Sequence, residues 1–105
     1  MRALVWVHLD KVRPAVVLTR ETVLPRMANI TVAPVISTIR GLSTEVLVGP
    51  ENGLDHECVI SCDNITTVPT SAVQGRIGYL MADQEDRLAD AINLAFDVYP
   101  SSGVR

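Results

Sequence analysis

The 105-residue chain reads as a mainly β domain, a small curled antiparallel barrel with one C-terminal helix packed on it. Three observations predict this. Short runs rich in Val, Ile and Thr succeed one another as far as Met81. Gly, Pro, Asn and Asp punctuate those runs every few residues. Only the last stretch changes to helical spacing.

The first run, ALVWVHL (3–9), alternates Val5, Val7 and Leu9 with Leu4, Trp6 and His8, so both faces carry apolar side chains. AVVLT (15–19) follows after only DKVRP, which predicts an antiparallel hairpin or a tight corner. Pro14 lacks a backbone donor and is expected at the mouth of its strand. RETVLPRMAN (20–29) is a mixed connection, and NITVAPVIST (29–38) returns to strand, with Pro34 suggesting an edge or a bulge. TEVLVG (44–49) is a short strand closed by Gly49, Pro50 and Gly53. ECVISCDNITTV (57–68) is strand-like throughout, PTSAVQ (69–74) fits one helical turn, and RIGYLM (76–81) is the last short strand. Beyond it Asp83 is the expected N-cap, with Glu85 and Asp86 in the first turn. Leu88, Ile92, Ala95 and Phe96 recur at helical spacing, so the helix runs about four turns and ends before Pro100. Residues 1–99 form the one expected domain, and 100–105 a loose tail.

A hydrophobic fraction of 48% with 20% charged residues belongs to a compact core and not to a disordered chain. No run approaches the roughly 18–20 apolar residues of a membrane span. The N-terminal run alternates with His8, ends at Asp10 and carries no small-residue cleavage site, so it reads as a strand and not a signal peptide. The expected location is the cytoplasm. Cys58 and Cys62 lie four residues apart in a strand, about 13 Å at ~3.3 Å per residue, too far for a bridge. They are expected to be core thiols.

Charge is unevenly placed. Residues 1–41 hold six basic residues against two acids, and 42–105 hold three against ten, within a net charge of −3. A local basic face for a polyanion is compatible with that asymmetry, as is chance surface charge. Neither a metal-binding HExxH or paired CxxC, nor a phosphate-cradling glycine loop, nor GxSxG occurs. His8 and His56 are the only histidines, and either is a candidate general base. Asp63 and Asn64 could bind a ribose or a base edge, or equally end a strand through side-chain-to-backbone bonds. Lys11 and Arg13 sit at one strand entrance, and Ser37, Thr38 and Arg40 at another strand's exit. A guanidinium and hydroxyls converging there would hold a phosphodiester. The alternative is a solvated turn with hydroxyls bonded locally.

The succession RPAVVLT (13–19), VAPVIST (32–38) with Arg40-Gly41 and TEV (44–46), CDNITTVP (62–69) and GRIGYL (75–80) before an amphipathic helix resembles the MazF/PemK (Kid) toxin family over nearly the whole chain. CDNITTVP resembles that family's D-Q-[IV]-[RK]-[ST]-[IV] stretch, with Asn64 where glutamine is usual. The resemblance implies an SH3-like β-barrel, usually a homodimer, acting as the toxin of a type II toxin–antitoxin system. It implies sequence-specific cleavage of single-stranded RNA without a metal or other cofactor, through attack of the ribose 2′-OH to leave 2′,3′-cyclic phosphate and 5′-OH ends. A cognate antitoxin covering the active groove is the implied partner.

The family's catalytic arginine falls on Arg13. Its catalytic hydroxyl falls on Ile36 when counted back from Gly41, and on Ser37 when counted from Pro34 with one inserted residue; Ser37 is preferred, with Thr38 next. Lys11, Arg20, Arg40, Asp63 and Asn64 are the expected RNA-binding residues, and Trp6, Arg13, Arg20 and Arg40 the available stacking platforms. The connection before Arg13 is only DKV, without the Gly-Ser-Glu-Gln motif of many members, so substrate contacts of that loop do not carry over. Two other readings use the same barrel: a CcdB-like toxin that binds DNA gyrase without catalysis, and an inactive interaction module.

Overall fold

A computed structural model describes residues 1–20 and 24–98. Seven strands occur in it: β1 (Ala3–His8), β2 (Val12–Val17), β3 (Asn29–Ile36), β4 (Glu45–Val48), β5 (Cys58–Ser61), β6 (Thr66–Pro69) and β7 (Val73–Tyr79). One helix, α1 (Ala82–Phe96), follows. The hydrogen-bonded order is β4-β5-β3-β2-β1-β7, with β6 pairing β3 off that path and every pairing antiparallel. The result is a curled half-barrel with a C-terminal helix. The tail expected at 100–105 lies outside the described residues.

β3 causes the curl. Its first half, Asn29–Val32, pairs with β6, and its last two residues, Val35 and Ile36, pair with β5. Pro34 is therefore neither at an edge nor at a bulge. It pairs with Ala15 of β2 on one side, and on the other it falls in the gap where one ladder has ended and the next has not begun. The missing proline N–H is needed by neither. Pro14 likewise lies inside β2, opposite Trp6, not at its mouth; the β2–β3 ladder begins one residue later, at Ala15. The 57–68 segment is not one strand. A 3-10 turn at Cys62–Asn64 breaks it, and that turn lets β5 and β6 serve different halves of β3. β7 starts at Val73, earlier than expected, directly after the 3-10 turn at Thr70–Ala72. Register shifts in the β1–β7 ladder bend that edge further.

Two apolar clusters fill the fold, one on each face of the sheet. Leu4, Val16, Val35, Val46, Ile60 and Leu80 meet Leu88 and Ala91 of α1. Val5, Val7, Ala15, Val17, Val32 and Val68 pack on the other side. The N-cap of α1 is Met81, not Asp83, because the Gln84 side-chain carbonyl accepts the Met81 backbone N–H at 2.8 Å. The buried stripe drifts toward Gln84, Leu88 and Ala91 and leaves Phe96 more than half exposed. Described residues contain no helix long and apolar enough to cross a membrane.

A buried polar knot ties α1 to the β4–β5 loop. Asn52 donates to Gln84 Oε1 at 2.6 Å and to the Tyr79 carbonyl at 2.9 Å, while its own Oδ1 accepts from Gly49 N–H and Gln84 Nε2, each at 3.0 Å. Every partner is satisfied, so the knot stiffens the loop. Gly78 lets β7 approach it closely: a Cβ there would lie 2.2 Å from the Asn52 carbonyl oxygen. Backbone must move to admit it. Gly78→Ala is expected to cost about 3 kcal/mol of unfolding free energy, read as a lowered urea midpoint. A midpoint equal to wild type would show that the loop yields freely.

Candidate functional site

The stiffened loop is one wall of a cleft of about 390 Å³. The β1–β2 hairpin contributes Trp6, Lys11 and Arg13, the end of β3 contributes Ile36 and Ser37, and the β4–β5 loop contributes Asp55 and His56. The sequence separations are large, but the antiparallel order puts the β1–β2 turn and the β3 exit at the same end of the sheet. Trp6 is 42% exposed, so its ring borders the cleft as a platform and not the core.

Arg13 is held, not loose. Its Nε and Nη2 donate to the two carboxylate oxygens of Asp10 at 2.8 and 2.9 Å. This bidentate bond occupies one edge of the guanidinium and leaves the Nη1 side, with three N–H donors, unspent by it. The bond from Arg13 holds the Asp10 carboxyl far below the usual carboxylate range. Reciprocally, Asp10 raises the Arg13 pKa above its already high value. Arg13 is thus a fixed cation, suited to charge stabilisation and unable to take a proton.

Ser37 is exposed, and its Oγ lies 3.0 Å from His56 Nε2. On the other side of the ring, His56 Nδ1 lies 2.5 Å from Asp55 Oδ1. Ser37, His56 and Asp55 form a chain of hydrogen bonds along the cleft wall. Cys58 Sγ approaches Nε2 to 3.4 Å from below and donates to the His56 carbonyl at 3.6 Å.

The sequence-expected residues separate into two groups. Arg13, Ser37 and Lys11 share the cleft. Ile36 also borders it but carries only a hydrocarbon side chain. Thr38, one residue past Ser37, is exposed and does not border the cleft. Arg20 borders a different depression, with Leu18, Thr19, Met27 and Thr31. Arg40 is exposed outside the cleft; its backbone N–H donates to Glu45 at 3.1 Å. Asp63 accepts from Thr44 Oγ1 at 2.6 Å and Asn64 donates to Ser61 Oγ at 2.7 Å, so both secure the β5–β6 corner. Arg2 is spent on the Leu18 carbonyl at 2.7 Å. The basic excess of residues 1–41 thus narrows, at the cleft, to Lys11 and Arg13.

Residues 3–96 match the family described as the PemK-like, MazF-like toxin of type II toxin–antitoxin systems. The chain belongs to this toxin family. The toxin is 51% identical over 98 residues to Endoribonuclease MazF3 of Mycobacterium tuberculosis, covering 93% of this chain and 95% of that protein. It is 30% identical over 95 residues to the Probable endoribonuclease MazF5 of the same species, covering 88% and 87%. The solved Mycobacterium tuberculosis toxin MazF-mt6 superposes with a TM-score of 0.91 at 50% identity, over 93% of this chain and 99% of that one. The resemblance read from the ordered segments, and the barrel it implied, are both borne out.

The toxin's cleft holds one group that sequence reasoning passed over, Asp55, and one that it did not place beside Ser37, His56. His56 figured there only as one of two candidate general bases, beside His8, and Asp55 not at all. His8 does not border the cleft. The signal was the adjacency Asp55-His56 after Gly53, a glycine at φ 92° whose Cβ would lie 2.6 Å from the Ile77 carbonyl oxygen.

The thiols are inert by position. Both cysteines are free and buried; burial pushes the Cys58 thiol up and the Cys62 thiol to about 11. Native toxin at pH 8 is expected to react with a thiol reagent far more slowly than unfolded toxin, where both cysteines label. Rapid labelling of native Cys58 would mean that the cleft floor opens.

Proposed function

We propose that this toxin is a cytoplasmic, metal-independent endoribonuclease that cuts single-stranded RNA at a short sequence and is silenced by a cognate antitoxin. The observation that carries the reading is the convergence of Arg13 and Ser37, from separate strands, on one cleft beside Lys11 and Trp6. RNA supplies its own nucleophile, the 2′-OH next to the scissile phosphate. The protein has only to hold the phosphate, spread the charge of the phosphorane and manage protons. Arg13 meets the first two needs with the edge that Asp10 leaves unspent. Trp6 offers a face on which a splayed base stacks, at a position compatible with base preference.

The relatives named as endoribonucleases at 51% and 30% identity support the same reaction. A solved endoribonuclease in complex with its cognate antitoxin shares the fold, with a TM-score of 0.81 at 18% identity. The toxin acts as a homodimer, and the antitoxin tail occupies the RNA cleft.

The test is incubation of purified toxin with a long mixed RNA in EDTA, followed by end mapping. Products with 2′,3′-cyclic phosphate and 5′-OH ends at a recurring motif are expected. Intact RNA, with trapped gyrase–DNA complexes in a parallel assay, would overturn the nuclease in favour of a gyrase-binding toxin.

A further inference from the structure

Internal attack by a 2′-OH needs a group that takes its proton, and the cleft offers few. Arg13 is fixed as a cation by Asp10. Lys11 is an ammonium with donors only. Cys58 is buried, and its thiol is pushed away from the thiolate. Asp55 directs its carboxylate to His56. What is left is His56 itself, exposed and in the cleft wall.

Its hydrogen bonds choose the tautomer. A carboxylate only accepts, so the Asp55 contact places the proton of a neutral imidazole on Nδ1. Nε2 then presents a lone pair, and the group 3.0 Å from it is the Ser37 hydroxyl, which donates to it. That leaves the Ser37 oxygen, in the cleft it shares with Arg13, with lone pairs able to accept a proton.

Building on the nuclease reading above, we propose that Ser37, His56 and Asp55 form a proton relay for RNA cleavage, with His56 as the terminal proton acceptor. The 2′-OH proton passes to Ser37 Oγ as the Ser37 proton passes to His56 Nε2. The O2′–P bond forms and the P–O5′ bond breaks; the 5′-oxygen leaves with the bonding pair and takes a proton from solvent water. The hydroxide left behind is neutralised by the proton His56 later sheds. Ser37 is catalytic because it touches the attacking hydroxyl. Asp55 is a positioning residue: it fixes the ring and balances the imidazolium that forms.

The relay makes cleavage pH-dependent, because a protonated imidazole cannot accept. The groups around His56 are Asp55 and Glu57 on its own loop, Cys58 on β5, and Lys11 and Arg13 across the cleft, with Asp10 behind Arg13. Asp10 and Arg13 hold their charges as the medium is acidified, so an acid limb that His56→Gln abolishes is the relay's own.

Initial rates on a long mixed RNA in EDTA, across the acid-to-neutral range, test this with His56→Gln, His56→Ala and Asp55→Asn. His56→Gln should cleave about 100-fold more slowly and lose the acid limb. Added imidazole should restore part of the His56→Ala rate. Asp55→Asn should cost about tenfold and move the limb to lower pH, since removing a nearby negative charge disfavours the imidazolium. Circular dichroism melts check that each variant is folded; if His56→Gln is not, the displaced limb of Asp55→Asn decides. A His56→Gln rate and limb equal to wild type would overturn the relay and leave the nuclease standing. So would a slowed His56→Gln that keeps the wild-type limb. Wild-type toxin that leaves RNA intact overturns both readings.

Discussion

Arg13→Ala is expected to lower RNA cleavage on the order of a thousandfold while the melting temperature stays within a few degrees. The size follows from what is lost. Removing one neutral donor from a developing oxyanion costs roughly 10²–10³ in rate, and Arg13 brings a full charge and more than one N–H to the phosphate. The fold is spared because Arg13 lies at the open end of β2, and its only described side-chain partner is the exposed Asp10. Arg13→Lys separates charge from geometry: an ammonium keeps the charge, cannot bond Asp10 and a phosphate through two parallel edges, and should recover only part of the rate. The Arg13 contribution should also be flat with pH. Because Arg13 holds the Asp10 carboxyl far below the carboxylate range, the pair outlasts the acidification that protonates an imidazole. Quench-flow rates with Arg13→Ala near wild type would remove this residue from the mechanism.

The fold was legible in the sequence because the barrel is built from local signals. β-branched runs, turn residues and the switch to helical spacing each occupy one segment, and β1–β2, β2–β3 and β4–β5 pair as successive strands. Where the reading erred, the cause was non-local. Pro34 looks like an edge residue until β3 is seen to change partners beside it, and nothing in NITVAPVIST announces that change. The 57–68 run looks like one strand because its break, Cys62–Asn64, is a single 3-10 turn among strand-forming residues. Asp83 has the chemistry of an N-cap, but Gln84 reaches back to Met81 and is itself held by Asn52, thirty-two residues away.

The site was half legible. Arg13 stands in a recognisable segment, whereas His56 lies in a polar loop whose value depends on where β3 ends. Basic residues were readable as basic, but not which of them the fold spends elsewhere. Arg2 caps a carbonyl, and Arg20 and Arg40 lie outside the cleft. Counting along VAPVISTIRG left the hydroxyl between Ile36, Ser37 and Thr38, since a one-residue slip changes which side chain faces the cleft.

Geometry favours Ser37, and the expected result is a large difference between two adjacent alcohols. Ser37→Ala should slow cleavage by about 10²–10³, because it removes the hydroxyl that joins the substrate to His56 and leaves Nε2 facing only the buried Cys58 thiol. Thr38→Ala should stay within about twofold: Thr38 is exposed, does not border the cleft, and makes no side-chain hydrogen bond among the described residues. Ser37→Thr keeps a hydroxyl and should recover most of the rate, which separates lost chemistry from lost packing. A double variant, Ser37→Ala with His56→Gln, should be little slower than either alone, since two links of one chain are not lost twice. Additive losses would mean that serine and histidine act on different protons. Thr38→Ala as the slow variant would instead place the working alcohol one residue further along, on a strand exit that turns differently once RNA is bound.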